Sequence, residues 1–179
     1  MIVKGSDILP LMGPGLVSPE IQIQPAGIDL TVKHIREYRS GGVLDFTNEQ
    51  RVLPKTDRLF WGGKDTTSPY INLAPGGYLV ELDPIVSIPN DMIAFAQPRS
   101  SLTRMGCGIH SGIWDPGYKG NSTVVLNVYN PHGVRIYKNA RIAQLIYARM
   151  ESSADKLYDG VYQGSGIIDE TPSNQTGLK

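Results

Sequence analysis

One cysteine, Cys107, is present in 179 residues. That excludes an intramolecular disulfide and any metal site built from several thiolates. No apolar run approaches the ~20 residues that a bilayer-spanning helix needs. The opening residues, MIVKGSDILPLMG, carry Asp7 and Pro10 where a signal peptide needs an unbroken apolar core. The chain is therefore expected to be soluble and cytoplasmic, with no membrane partner. The phosphate-cradling G-x-x-x-x-G-K-[ST] loop, G-x-G-x-x-G and H-E-x-x-H are all missing. So is the H-x-E and P-C-x-x-C signature of zinc deaminases. His34, His110 and His132 stand apart in sequence and read as surface or hydrogen-bonded side chains rather than metal ligands. Acidic residues also run out locally, since none lies between Asp115 and Glu151.

What the chain has in excess is turn formers: 20 glycines and 13 prolines, well above the usual ~12% for the two together. That favours many short strands over long helices. A short helix is expected within Ser6–Met12, and Gly13–Pro25 reads as loop. Strands are predicted at Ile28–Val32, Tyr78–Leu82, Met92–Ala96, Thr123–Tyr129, Val134–Tyr137 and Arg141–Ala148, from alternation and β-branched content. The last two are separated by a turn at Lys138-Asn139. Pro84 and Pro89 argue against a central strand running throughout Pro84–Pro89, and residues 39–64 show no clear period. Strands at roughly ten-residue spacing predict an all-β barrel or jelly roll with one or two short helices. Residues 1–158 are expected to form one domain, and 159–179 a flexible C-terminal segment.

Net charge is zero, yet it is unevenly spread. Arg99, Arg104, Lys119, Arg135, Lys138, Arg141 and Arg149 share the stretch 99–149 with a single acid, Asp115. A basic block in a neutral chain suits a compact polyanion better than nucleic acid, for which no motif is present. Within it, Pro98-Arg99-Ser100-Ser101-Leu102-Thr103-Arg104 gathers guanidiniums and hydroxyls that match phosphate oxygens, although a plain helix cap with solvated arginines has the same composition. Gly112-Ile113-Trp114-Asp115-Pro116-Gly117-Tyr118 is a turn around a solitary carboxylate, which could orient a water molecule or hold a sugar hydroxyl. Gln24-Pro25-Ala26-Gly27-Ile28-Asp29-Leu30, Ala140-Arg141-Ile142-Ala143-Gln144-Leu145 and Tyr158–Gly166 are weak signals singly. Asp29 could cap a turn and Gln144 could satisfy a strand edge.

In this order, PAGIDL, PRSSL, GIWDPGY, RIAQL and YQGSG resemble the five motifs of the superfamily of trimeric dUTPases and dCTP deaminases, and the branch that resembles the deaminases in particular. The resemblance implies a distorted jelly-roll subunit assembled as a homotrimer with active sites between subunits. It implies that Asp115 is the catalytic carboxylate and that Gly112, Ile113, Trp114 and Tyr118 form the hairpin around base and sugar. Arg99, Ser100, Ser101, Arg104 and Gln144 would bind the phosphates or position groups that do. Tyr158 and Gln163 would belong to a segment closing over the nucleotide. Mg²⁺ is the implied cofactor, and Asp29 would be structural or reach it through water.

Two reactions share this pocket. Deamination at cytosine C4 needs a proton shuttle, which the deaminases supply as a Glu on the strand after the Asp hairpin. Here that strand reads Asn121–Asn130, contains Asn127 and has no acid. Glu81 or Glu49 would have to reach the pocket from elsewhere. Diphosphate hydrolysis needs only an oriented water, charge neutralisation and phosphate donors. The expected activity is therefore hydrolysis of dUTP to dUMP and pyrophosphate. The alternatives are a dCTP deaminase, mono- or bifunctional, and a non-catalytic nucleotide-binding member of the family.

Overall fold

A computed structural model describes residues 1–63 and 68–165. Its ten strands run antiparallel to their neighbours throughout. The chain opens with a helical turn, α1 (Gly5–Ile8), continued by a 3₁₀ turn at Leu9–Leu11. Then come α2 (Pro19–Gln22), β1 (Ile23–Gln24) and the long β2 (Gly27–Tyr38). An irregular arm leads through β3 (Thr56–Arg58) to β4 (Tyr70–Leu73), β5 (Gly76–Ser87) and β6 (Met92–Pro98). After α3 (Ser100–Arg104) follow β7 (Cys107–His110), β8 (Lys119–Val128), β9 (Val134–Tyr137) and β10 (Arg141–Arg149).

The main sheet has the order β6-β10-β2-β5-β8-β7, with β1 and β3 pairing on β2, while β4 and β9 form a separate ribbon. Its two edges nearly meet. Ala94 of β6 and Trp114, just beyond β7, exchange both backbone hydrogen bonds, at 3.0 and 2.9 Å. This nearly closed, barrel-like sheet is the all-β jelly-roll architecture that the strand spacing implied. The alternation that predicted the strands also fills the interior. Val80 and Leu82 of β5, Val124 and Leu126 of β8, and Leu145 and Tyr147 of β10 are buried, and their sequence neighbours turn outward. Each buried aliphatic side chain contributes about 1.5–3 kcal/mol.

Three local expectations change. Gly13–Pro25 is not wholly loop, because Pro19 starts the short helix α2 behind Ser18, at the position where a missing N–H costs nothing. With α2 the short helices exceed the one or two expected. The strand predicted as Tyr78–Leu82 is longer, since β5 runs from Gly76 through Pro84 to Ser87, although it stops short of Pro89 and so does not run throughout Pro84–Pro89. Its pairing with β8 breaks between Leu82 and Ile85, so Asp83 and Pro84 form an irregularity at which no ladder donor is required. Among the described residues, no helix is long and apolar enough to cross a membrane.

Candidate active site

The hairpin between β7 and β8 holds the isolated carboxylate in a fixed place. Trp114 is buried and bonded to β6. The Tyr118 N–H donates to the Asp115 carbonyl at 3.1 Å, closing a four-residue turn. Pro116 and Gly117 occupy its central positions, and Gly117 has φ +86°. A proline followed by a left-handed glycine is what a type II turn requires. Asp115 is exposed at this turn and looks into a cavity of about 770 Å³, within the range of sites for drug-sized ligands.

The cavity has four walls. Gly112, Ile113, Trp114, Asp115 and Tyr118 supply the hairpin wall, and Asn121 and Thr123 of β8 with Leu79 of β5 form a strand wall. Tyr38, Leu53, Pro54 and Thr56 contribute from the end of β2 and the arm that follows. Tyr158, Tyr162 and Ser165 come from the C-terminal segment. That segment is bound to the hairpin. The Tyr158 N–H donates to the Pro116 carbonyl and the Gly164 N–H to that of Lys119, both at 2.8 Å. The Tyr158 ring packs edge-on against Tyr118, with centroids 5.5 Å apart. Gln163 does not line the cavity. Its amide accepts from the Lys119 N–H and donates to the Gly117 carbonyl, both at 2.9 Å, so it ties the segment to the hairpin. The predicted segment 159–179 is described as far as Ser165, and the remainder lies outside the described residues.

Tyr118 is buried, and burial first, then Tyr158 and Glu81, push its hydroxyl up to about 12. It therefore stays protonated at neutral pH and donates to the Asn121 carbonyl at 2.7 Å. Tyr118→Phe is expected to lower stability by about 1 kcal/mol, the usual net value of such a bond. Thermal denaturation measures it, and an unchanged Tm would show that the bond contributes nothing.

A second cluster lies at the other end of β2. The Asp29 side chain is 2% exposed, and its Oδ2 receives Arg99 Nε at 2.8 Å and Arg141 Nη1 at 3.1 Å. Burial pushes this carboxyl up, and the two guanidiniums pull it down less strongly. Arg99 is the residue before α3, so Asp29 anchors the start of the helix that carries Ser100, Ser101 and Arg104, all exposed. Gln144 lies directly across from Asp29 on β10. None of Arg99, Ser100, Ser101, Arg104 or Gln144 lines the Asp115 cavity. One chain thus holds the carboxylate and the predicted phosphate donors in two separate places.

Glu81, which deamination would need inside the pocket, sits opposite Thr123 but is paired with Lys33 at 2.9 Å and does not line the cavity. Asn127 holds a position on the same β8 face as Asn121 and Thr123. Among the described residues, no three His, Cys, Asp or Glu side chains come together as a metal-binding group. Sequence reasoning missed Tyr38, the arm residues, Asn121, Thr123 and Tyr162. Asn121 and Thr123 could have been found from the two-residue period of β8, whereas the arm offers no period to read.

The chain is thus a nearly closed jelly-roll barrel that presents a carboxylate at the turn of an inter-edge hairpin. The dCTP deaminase-like family matches residues 12–150, and the chain belongs to that family. A probable deoxyuridine 5'-triphosphate nucleotidohydrolase of Aeropyrum pernix is 40% identical over 167 residues, which is 93% of this chain and 100% of that one. The deoxyuridine 5'-triphosphate nucleotidohydrolase of Methanocaldococcus jannaschii is 41% identical over 145 residues, 81% of this chain and 89% of its own. Among solved structures, 2'-deoxycytidine 5'-triphosphate deaminase from Agrobacterium tumefaciens matches with a TM-score of 0.59 at 21% identity. The match covers 82% of this chain and 46% of that chain, which supports the fold.

Proposed function

We propose that this protein hydrolyses dUTP to dUMP and pyrophosphate, lowering dUTP and supplying dUMP in the cytoplasm. The observation that carries this reading is Asp115, the carboxylate that a rigid turn presents to a cavity whose strand wall holds Asn121 and Thr123 and no acid. Asp115 orients a water molecule and accepts its proton. The water oxygen attacks the α-phosphorus, the bond from that phosphorus to the α,β-bridging oxygen breaks, and pyrophosphate leaves. Gly112, Ile113 and Trp114 hold the base, Tyr118 lies against the sugar, and Tyr158 closes the cavity.

Arg99, Ser100, Ser101, Arg104 and Gln144 bind the phosphates or position the groups that do. Since none of them lines the cavity of its own chain, they serve the site of a neighbouring subunit in a homotrimer. Mg²⁺ neutralises phosphate charge when bound. Among the described residues no acidic cluster would cage the ion, so it would arrive on the triphosphate, as Mg²⁺ commonly does, and Asp29, buried and paired with Arg99 and Arg141, takes the structural role. Residues 1–158 form the catalytic domain and 159–179 the closing segment.

Incubation of the pure protein with Mg²⁺ and either dUTP or dCTP tests the reading. Pyrophosphate and dUMP are expected from dUTP. Ammonia released from dCTP would place the protein with the deaminases despite Asn127. Nucleotide binding without turnover would make it a non-catalytic member of the family.

A further inference from the structure

Two irregularities in neighbouring strands converge beneath the cavity. On β2, Val32 pairs with Leu82 and His34 with Glu81, so Lys33 is the extra residue of a bulge. On β5, Leu82 pairs with Ser122 and Ile85 with Asn121, so Asp83 and Pro84 are extra. Bulges re-aim side chains and are over-represented beside active sites. Both of these point at one residue, Asn121, which is 3% exposed.

The Asn121 side chain is held on both sides of its amide. Its Nδ2 donates to the Leu82 carbonyl at 3.0 Å and to Asp83 Oδ1 at 3.1 Å. Its Oδ1 accepts from Lys33 Nζ at 3.4 Å, and Lys33 is paired with Glu81. The backbone of the same residue faces the site. The Asn121 carbonyl accepts the Tyr118 hydroxyl, and the Asn121 N–H donates to the Ser165 carbonyl at 2.7 Å. Asn121 thus meets the Tyr118 side chain through its carbonyl and the C-terminal wall of the cavity through its N–H, beside the direct bonds that Pro116, Gly117 and Lys119 make to the same segment. The fit is close: a Cβ at Gly120 would come 2.8 Å from the Tyr118 hydroxyl and 2.9 Å from the Ser165 carbonyl.

We propose that Asn121 is a positioning residue for nucleotide binding, held by Lys33 and Asp83, that sets the sugar platform at Tyr118 and the closing segment at Ser165 together. The proposal rests on the dUTP-hydrolysing reading of the cavity. It assigns Asn121 to binding and leaves water activation to Asp115, so its loss acts on KM rather than on kcat.

In N121D the new carboxylate oxygen faces the Leu82 carbonyl and Asp83, two acceptors where a donor stood. KM for dUTP is expected to rise at least about tenfold with kcat within about threefold. Amide exchange at Gly164 should accelerate, because the strand that anchors the segment is displaced. Exchanging the pair, N121D with D83N, keeps the charge beside Lys33 and restores a donor–acceptor contact. It is expected to recover a large part of the lost affinity, the non-additivity diagnostic of direct coupling. Asn121→Ser, which lacks the added charge, should move KM in the same direction and remains measurable should N121D not fold. A lowered Tm with unchanged KM, a fall in kcat alone, or no recovery in the exchanged pair would each overturn the proposal. Failure of the unsubstituted protein to release pyrophosphate from dUTP would strike the functional reading instead. Exchange at Gly164 would still test the coupling.

Discussion

Asp115→Asn is expected to abolish dUTP hydrolysis while leaving nucleotide affinity within about tenfold. The side chain is exposed at a turn whose geometry comes from Pro116, Gly117 and the hydrogen bond between Tyr118 and the Asp115 carbonyl. None of these depends on the carboxylate, so an isosteric amide leaves the turn and the cavity in place. What it removes is the proton acceptor that we propose. General-base catalysis contributes about 10²–10⁴-fold, and no other described carboxylate lines the cavity to substitute for it. Single-turnover rates with binding measured separately distinguish the two effects. A large loss of affinity with kcat preserved would make Asp115 a binding residue and remove it from the chemistry.

Asp29→Ala is expected to produce the largest loss of stability among polar substitutions. Its carboxylate is buried, and one oxygen receives both Arg99 and Arg141. Removing the carboxylate leaves two guanidiniums facing one another without a counter-charge. Breaking a buried pair from one side costs about 3–5 kcal/mol. The arginines retain 28% and 29% side-chain exposure, and their access to water favours the lower end of that range. For a chain of this size, about 3 kcal/mol corresponds to a fall in Tm of roughly 6–12 °C. Because Arg99 leads into α3, the same substitution should weaken triphosphate binding more than binding of the monophosphate product. A loss below about 1 kcal/mol would show that the arginines find other partners and that Asp29 does not organise them.

The strands were most legible where both their alternation and their boundaries are local. Val134–Tyr137 is found as predicted, followed by a turn in which Asn139 takes φ +61°, a conformation that asparagine tolerates. β4 and β7 are not predicted from the sequence, and β4 gains its partner only from β9, more than sixty positions on. The passage of β5 through Pro84 was unreadable for a similar reason. Whether a proline interrupts a strand depends on the register of the neighbour, and here both neighbours accommodate it. In the candidate site, Asp115 and its turn were legible because Asp-Pro-Gly constrains its own backbone. Asp29 looked like a possible turn cap, since its arginine partners arrive from β10 and from the end of β6. The wall formed by Tyr38, Leu53, Pro54 and Thr56 lies where the chain has no period, and its place at the cavity follows from the pairing of β3 with β2.

Hydrolysis of dUTP in ¹⁸O-enriched water, with the products resolved by mass, tests the central claim most directly. Attack at the α-phosphorus by a water held at Asp115 should place one ¹⁸O in dUMP and none in pyrophosphate. Label in the pyrophosphate, or dUDP with labelled inorganic phosphate, would contradict it.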